Sequence, residues 1–318
     1  MVGKFASMDY VTLGRTGIRA SVMGLGCGGH SRLGLLSGKT EAEAASVVRV
    51  ALDLGINLID TAEIYKTETV VAKGVKGIPR DTFFLSTKAE ARWEDRLSAG
   101  SEMRERVEGC LRRLETDYVD LFNLHAVTPD EYPYCCAELI PVLQAMQDEG
   151  KIRFLGITEQ FIVDTSHRVL QMALRDSFWD VMMVGFNILN PSARQTVFPE
   201  TIRQNVGTLG MFAVRRALSS PQALLELMDG LAARGLGGDF DGSNPLGFLE
   251  DPSVATNLQD AAYRFCRWAP GMNVVLSGTG NIEHLRANAM SLNRGPLPDP
   301  ILRRLDEMFG KVDSVSGD

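Results

Sequence analysis

Eight short apolar runs recur along the chain, at residues 22–26, 57–60, 83–87, 120–124, 154–157, 181–184, 210–213 and 274–276, with amphipathic stretches between them. Strands that alternate with helices build parallel sheet, because a helix has to carry the chain back before the next parallel strand can start. Eight such units predict an α/β fold of the (β/α)8 TIM-barrel type. That barrel needs about 250 residues plus insertions, and the chain has 318. One domain over residues 1–318 is therefore expected. Thr40 followed three residues later by Glu43 is a capping-box signature, so a helix is expected over 40–54. Further helices are expected over 101–114, 137–147, 166–174 and 221–232, and an extra C-terminal helix over 301–309, outside the barrel repeat. The tail, 312–318, is small and polar and is expected to fray.

Composition narrows the function classes. With 45% hydrophobic and 23% charged residues the chain can bury a large core, and it contains no run near the roughly 18 apolar residues of a membrane span. A net charge of −7 argues against a general nucleic-acid surface. Residues 1–8 carry no apolar stretch of signal-peptide length, so a cytoplasmic location is expected. Cys27, Cys110, Cys135, Cys136 and Cys266 form no CxxC pair, and read as thiols in a reducing compartment. The four histidines are too scattered to suggest a zinc site.

Four residues at or just beyond the ends of the early apolar runs carry chemistry: Asp60, Tyr65, Lys88 and His125. In a parallel barrel the carboxyl ends of the strands meet at one face, so these four are expected to converge. Alone, Asp60 and Lys88 read as a structural ion pair, His125 as a core histidine and Tyr65 as a loop aromatic. Together they suit proton transfer to or from an oxygen while another species moves a hydride. A cation beside a phenol lowers its pKa from about 10, so Lys88 is expected to tune Tyr65, Asp60 to keep Lys88 charged, and His125 to donate to the substrate oxygen or relay a proton.

At these positions the chain resembles the aldo-keto reductase superfamily. The residues that carry the resemblance are Asp60-Thr61-Ala62-Glu63-Ile64-Tyr65, Ser86-Thr87-Lys88, and Asp117-Tyr118-Val119-Asp120-Leu121 running on to His125. It extends from a hairpin at Leu13-Gly14-Arg15-Thr16-Gly17 to Ser277-Gly278-Thr279-Gly280-Asn281 and Glu283-His284-Leu285. The resemblance implies a barrel that binds a nicotinamide cofactor, NADP(H) more than NAD(H), without a Rossmann domain.

It also implies a cofactor site. Thr158 and Glu159 stand where relatives hold the nicotinamide carboxamide, Glu159 replacing an amide and Met183 a glutamine. An ionised carboxylate can only accept hydrogen bonds, so that contact is altered. After the seventh strand, Val214 or Arg215 is expected in the place of a stacking aromatic. Arg215 and Arg216 are candidates for gripping the pyrophosphate. Ser277, Gly278, Thr279 and Gly280, leading into a helix near Ile282, form the expected anion site, with Asn288 at the adenine position and His284 where NADP-specific relatives carry Arg.

The stretch 215–252 is long and glycine-rich, and reads either as a loop over the site or as a surface insertion. The leading expectation is an oxidoreductase acting on a small carbonyl or alcohol, with Tyr65 as general acid/base. The alternatives are a cofactor-binding regulatory barrel with little turnover, and a phosphate-handling barrel that would leave Tyr65 and Lys88 unexplained.

Overall fold

The computed structural model describes residues 8–238, 242 and 244–318. Two antiparallel strands open it, β1 (Tyr10–Thr12) and β2 (Arg19–Ser21). Eight parallel strands follow: β3 (Met23–Gly26), β4 (Leu58–Asp60), β5 (Phe84–Glu90), β8 (Val119–Val127), β9 (Ile152–Glu159), β10 (Val181–Gly185), β11 (Gly207–Met211) and β12 (Val274–Ser277). They close into a barrel in chain order, β12 pairing with β3. Between β5 and β8 lies a small antiparallel ribbon, β6 (Arg92–Trp93) and β7 (Arg96–Leu97).

Two apolar layers hold the barrel. Inside it, Leu58, Leu121, Val181, Met183, Leu209 and Val274 form one cluster, which Leu13, Ile18 and Ala20 of the hairpin close from below. Outside it, strand residues such as Ile59, Leu85, Phe122 and Leu124 meet the helix shell. The first helix, Glu41–Asp53, shows how the shell forms. Thr40 and Glu43 complete the capping box, and Ala44, Val47, Val48 and Ala51 make one buried stripe at the spacing of a helix face. Each fully buried Val in that stripe stabilises by roughly 1.5–3 kcal/mol.

Several boundaries differ from expectation. β5 and β8 run on past Thr87 and Leu124, to Glu90 and Val127. β11 starts earlier and ends before Phe212. The helix expected over 137–147 begins at Tyr132 and passes through a π-helical turn at Cys135–Leu139, and the one expected over 166–174 is trimmed to Arg168–Ala173. In the stretch 215–252 there is a helix at Pro221–Ala232 and short turns at Arg216–Leu218 and Gly247–Glu250; residues 239–241 and 243 lie outside the described residues.

The expected fraying of the tail is corrected. Asn190 Nδ2 donates to the Val315 carbonyl (2.8 Å), Asn187 Nδ2 to that of Ser316 (3.0 Å) and the Ala217 amide to that of Gly317 (3.0 Å). Val312 is buried. Satisfied backbone carbonyls, not apolar bulk, fix this segment.

Candidate active site

The barrel's register brings the four expected residues together. Asp60 pairs with Ser86, Lys88 with Asn123 and Glu90 with His125. Paired residues of parallel strands face the same way, and every second residue faces the lumen, so Asp60, Ser86, Lys88, Asn123 and His125 all point inward near one end. Gly156 makes room for Asn123: a Cβ there would lie 2.1 Å from the Asn123 Oδ1. His125 stands in a β-bulge, where β8 spends three steps from Leu124 to Val127 against two on β9. Ala126 beside it has φ +52°, and its amide donates to Thr158 Oγ1 at 2.6 Å. The bulge re-aims the imidazole toward the mouth.

Lys88 is only 1% exposed, and its ammonium donates to Asp60 Oδ1 (2.7 Å), Asp60 Oδ2 (2.6 Å) and the Thr61 carbonyl (2.7 Å). All three of its N–H donors are thereby used. Burial pulls its pKa down, but Asp60 and Tyr65 outweigh that, so it stays a cation above its ordinary value. Ser86 Oγ donates to Asp60 Oδ1 at 2.7 Å, and Asn123 Nδ2 to Ser86 Oγ at 3.1 Å, bracing the pair.

The Tyr65 hydroxyl is 3.4 Å from His125 Nε2, and the Lys88 Nζ is 5.2 Å from the centre of its ring. One expectation changes sign here. Burial pushes the Tyr65 phenol above its ordinary value, and the opposing pull of Lys88 does not overcome it. Tyr65 is thus held as the neutral acid. Burial, then the Lys88 charge, pushes His125 down to about 3, so the imidazole is neutral too. Its Nδ1 is buried without a partner. A bare acceptor is tolerated there better than a stranded N–H, which places the proton on Nε2, facing the phenol.

Sequence reasoning missed what holds Tyr65. It rides a short turn, Glu63–Tyr65, whose buried Glu63 accepts from Arg106 Nε at 2.7 Å. Arg106 also donates to the Glu90 carbonyl (2.8 Å) and to Ser98 Oγ (3.1 Å), tying the turn to β5. On the other side a Cβ on Gly28 would lie 2.5 Å from the tyrosine ring, so only glycine lets the ring pack there. The Glu63 position within the motif hinted at this role; nothing near Arg106 did.

A cavity of about 700 Å³ is lined by Asp60, Tyr65, Met183, Phe212, Arg215 and Gly278 among others, with Lys88 and His125 buried behind Asp60 and Tyr65. A second, of about 640 Å³, shares Val214, Ser219, Tyr263, Gly278 and Thr279 with it and continues to His284 and Asn288. The two form one elongated crevice, with proton-transfer groups at one end and polar side chains at the other. A dinucleotide fits that shape. A Cβ on Gly278 would lie 2.7 Å from the Gly26 carbonyl, so the glycine lets the chain after β12 pack closely on the end of β3.

The expected cofactor residues divide. Arg215, Arg216, Gly278, Thr279, His284 and Asn288 line the crevice. Glu159 does not: it is fully turned away, with His167 Nδ1 2.9 Å from both of its oxygens and the Gly185 amide donating at 2.7 Å. Thr158 pairs with inward-facing Met183, so the next residue, Glu159, faces the shell. Ser277 is buried between the Tyr263 hydroxyl and Asn288 Nδ2, both 2.9 Å away. Gly280 serves packing, since its Cβ would lie 2.4 Å from Gly34 Cα.

The expected anion site at the next helix, Ile282–Leu292, also changes. Asn281 Oδ1 already accepts from the Glu283 amide (2.8 Å) and the His284 amide (3.3 Å), and Thr279 Oγ1 from the Asn281 amide (3.0 Å). Phe212 lines the crevice beside Val214 and Arg215. Phe212 has φ +68°, its carbonyl accepts from Asn187 Nδ2 at 3.2 Å, and the Arg215 guanidinium lies 3.9 Å above its ring. Among the described residues no cluster of His, Cys, Asp or Glu could hold a metal, and no helix is long and apolar enough to cross a membrane.

Comparison with known proteins agrees with this geometry. The chain is 36% identical over 153 residues to L-galactose dehydrogenase of Arabidopsis thaliana, covering 46% of this chain and 47% of that protein. It therefore spans about half the length of that relative. It is 25% identical over 308 residues to the uncharacterized oxidoreductase YqkF of Bacillus subtilis, covering 92% of this chain and 94% of the other. The holo form of an aldo-keto reductase from Bacillus halodurans superposes with a TM-score of 0.71 at 25% identity, over 95% of this chain and 96% of that one. Residues 23–226 match the profile of the Aldo/keto reductase family. A closed parallel barrel with this match makes the chain a member of the aldo/keto reductase family, an oxidoreductase.

Proposed function

We propose that the protein, working in the cytoplasm, moves a hydride between a nicotinamide cofactor and a small carbonyl or alcohol, with Tyr65 giving or taking the proton at oxygen. The observation that carries this reading is Tyr65, which lines the crevice with its hydroxyl 3.4 Å from neutral His125, beside the buried Lys88–Asp60 pair. Bound in the crevice, the reduced nicotinamide supplies the hydride. Phe212, Met183 and Met211 form an apolar wall that excludes water from the reacting centre. His125 Nε2–H donates to the carbonyl oxygen and polarises it. As negative charge grows on that oxygen Tyr65 releases its proton to it, and the tyrosinate left behind faces the Lys88 cation. Water then restores the phenol. In oxidation the same groups run backwards, with tyrosinate as the base.

The cofactor reading is NADP(H) over NAD(H), with weak discrimination. Reading a ribose 2′-phosphate normally takes a cation with good donor geometry. His284 lines the far end of the crevice, but the amides beside it are already capped by Asn281. The preference for NADPH is therefore expected to be small. The name of the Arabidopsis relative makes aldoses a first group of substrates to test.

The test is Tyr65→Phe. Turnover on a carbonyl and alcohol panel should fall by about 10²–10⁴-fold while the dinucleotide Kd stays near wild type. A variant keeping more than about a tenth of wild-type kcat contradicts the role. Tight dinucleotide binding by the wild-type chain without turnover on any panel member would instead favour a regulatory barrel.

A further inference from the structure

The tail does more than pack. Asp318 lines the same cavity as Tyr65. There Asp318 Oδ2 accepts from the Arg215 guanidinium at 2.7 Å, and Asp318 Oδ1 lies 3.9 Å from His30 Nε2. The side chains of Asp318 and Arg215 are each 21% exposed, so solvent and ligands reach the pair from the cavity side. Arg215 is held flat on Phe212, its Nε is buried without a partner, and its charge draws the Tyr65 phenol down against burial. This is a fixed cation with unmet donor capacity beside the reacting groups, closed off by a carboxylate from the chain itself.

We propose that Asp318 is an internal stand-in for an anionic ligand group, and that an anion entering the crevice takes Arg215 from it and lifts the end of the tail. The argument is competitive. A guanidinium binds carboxylate or phosphate oxygens in the same planar fork, so one that is held by Asp318 is less available to another oxyanion. The tail's other anchors differ in kind. Val315 and Ser316 are held by the side-chain amides of Asn190 and Asn187 and Gly317 by the Ala217 amide, whereas Asp318 is held by Arg215, which belongs to the crevice wall. Displacement therefore frees Gly317 and Asp318 and leaves Val315 and Ser316 held. Two sources share the required chemistry, the diphosphate of the dinucleotide and a carboxylate on the carbonyl substrate. The second source rests on the hydride-transfer reading; the first needs only cofactor binding.

Wild-type protein and Asp318→Asn, each as the full chain, are titrated calorimetrically with NADPH, then with pyruvate and with uncharged butane-2,3-dione in the presence of NADP. Hydrogen exchange at the Ala217 amide, which donates to Gly317, is followed in the same samples. The expected result is that Asp318→Asn tightens one anion by about three- to tenfold and leaves butane-2,3-dione unchanged. Binding of that anion to wild type should speed exchange at the Ala217 amide. Tightening of NADPH alone assigns Arg215 to the diphosphate; tightening of pyruvate alone assigns it to a substrate carboxylate. Equal affinities of both proteins for both anions, or an Ala217 amide that stays protected when they bind, would overturn the proposal. Neither readout depends on turnover, so a protein that shows displacement but reduces no carbonyl would sink the hydride-transfer reading and leave this one standing.

Discussion

The two halves of the barrel mouth are built differently. On the β4–β8 side the functional groups lie within strands or, for Tyr65, on the short turn after β4, and their surroundings are internally satisfied: Lys88 on Asp60, Asp60 on Ser86, Glu63 on Arg106. On the β9–β12 side the strand residues turn inward to packing or outward to the shell. The crevice is lined there by Phe212, Arg215 and Thr279 from loops and by His284 from a helix, beside the strand residues Met183 and Met211, and Asp318 of the tail reaches the same cavity. The difference teaches that proton-transfer groups need a rigid low-dielectric frame, while ligand-gripping groups need to be reached. Substitutions should therefore damage catalysis on one side and tune affinity on the other.

The sharpest break is expected at Lys88→Met. It removes the cation that faces the tyrosinate and strands Asp60 in a buried site, so kcat should fall by about 10²–10⁴-fold, with thermal stability lowered as well. Steady-state kinetics with a denaturation curve checks both, and a fully active, stable variant would contradict the ion-pair frame. Next is Arg106→Met, which takes from buried Glu63 its hydrogen-bonded cation and leaves only Arg113, 3.6 Å away. A loss of about 3–5 kcal/mol is expected from urea unfolding. The surviving folded protein should lose kcat more than cofactor affinity, because the turn carrying Tyr65 loosens.

How much of this was legible in the sequence depended on whether a residue's partner was near in the chain. The eight-strand pattern and the four strand-end residues could be read because periodicity and order are local properties. The strands ran longer than the apolar runs because Lys88, Glu90 and His125 are polar yet extend the ladder. Hydropathy cannot see that Asp60 or Arg106 waits for them. Glu159 looked like a cofactor contact by position; its true partner, His167, is close in sequence but is brought there by a left-handed residue, φ +61°, that no pattern announced. The tail looked loose because its composition is small and polar, and its anchors, Asn187 and Asn190, are far upstream.

Smaller effects test the ligand side. Glu159→Gln keeps acceptors for the Gly185 amide but removes the charge paired with His167, so it should cost about 1–3 kcal/mol in unfolding while changing dinucleotide affinity by less than about twofold. A tenfold change in Kd without loss of stability would return Glu159 to the cofactor site. Least of all, His284→Arg should tighten NADPH by about five- to tenfold and leave NADH nearly unchanged, by fluorescence titration. Equal effects on both cofactors would place the 2′-position elsewhere.

The central claim is that a neutral phenol beside a neutral imidazole delivers the proton, and the pH dependence of carbonyl reduction by the wild-type protein, measured in single turnover with cofactor already bound, tests it most directly. Burial holds Tyr65 above its ordinary value, and His125 is pushed down to about 3. The rate should therefore be flat from about pH 5 to 9 and fall only as the phenol ionises, above about pH 10, while alcohol oxidation rises over that same high range. A reduction limb with its midpoint near pH 6–7, the ordinary range of histidine, would show that His125 titrates in the reaction and would contradict the account.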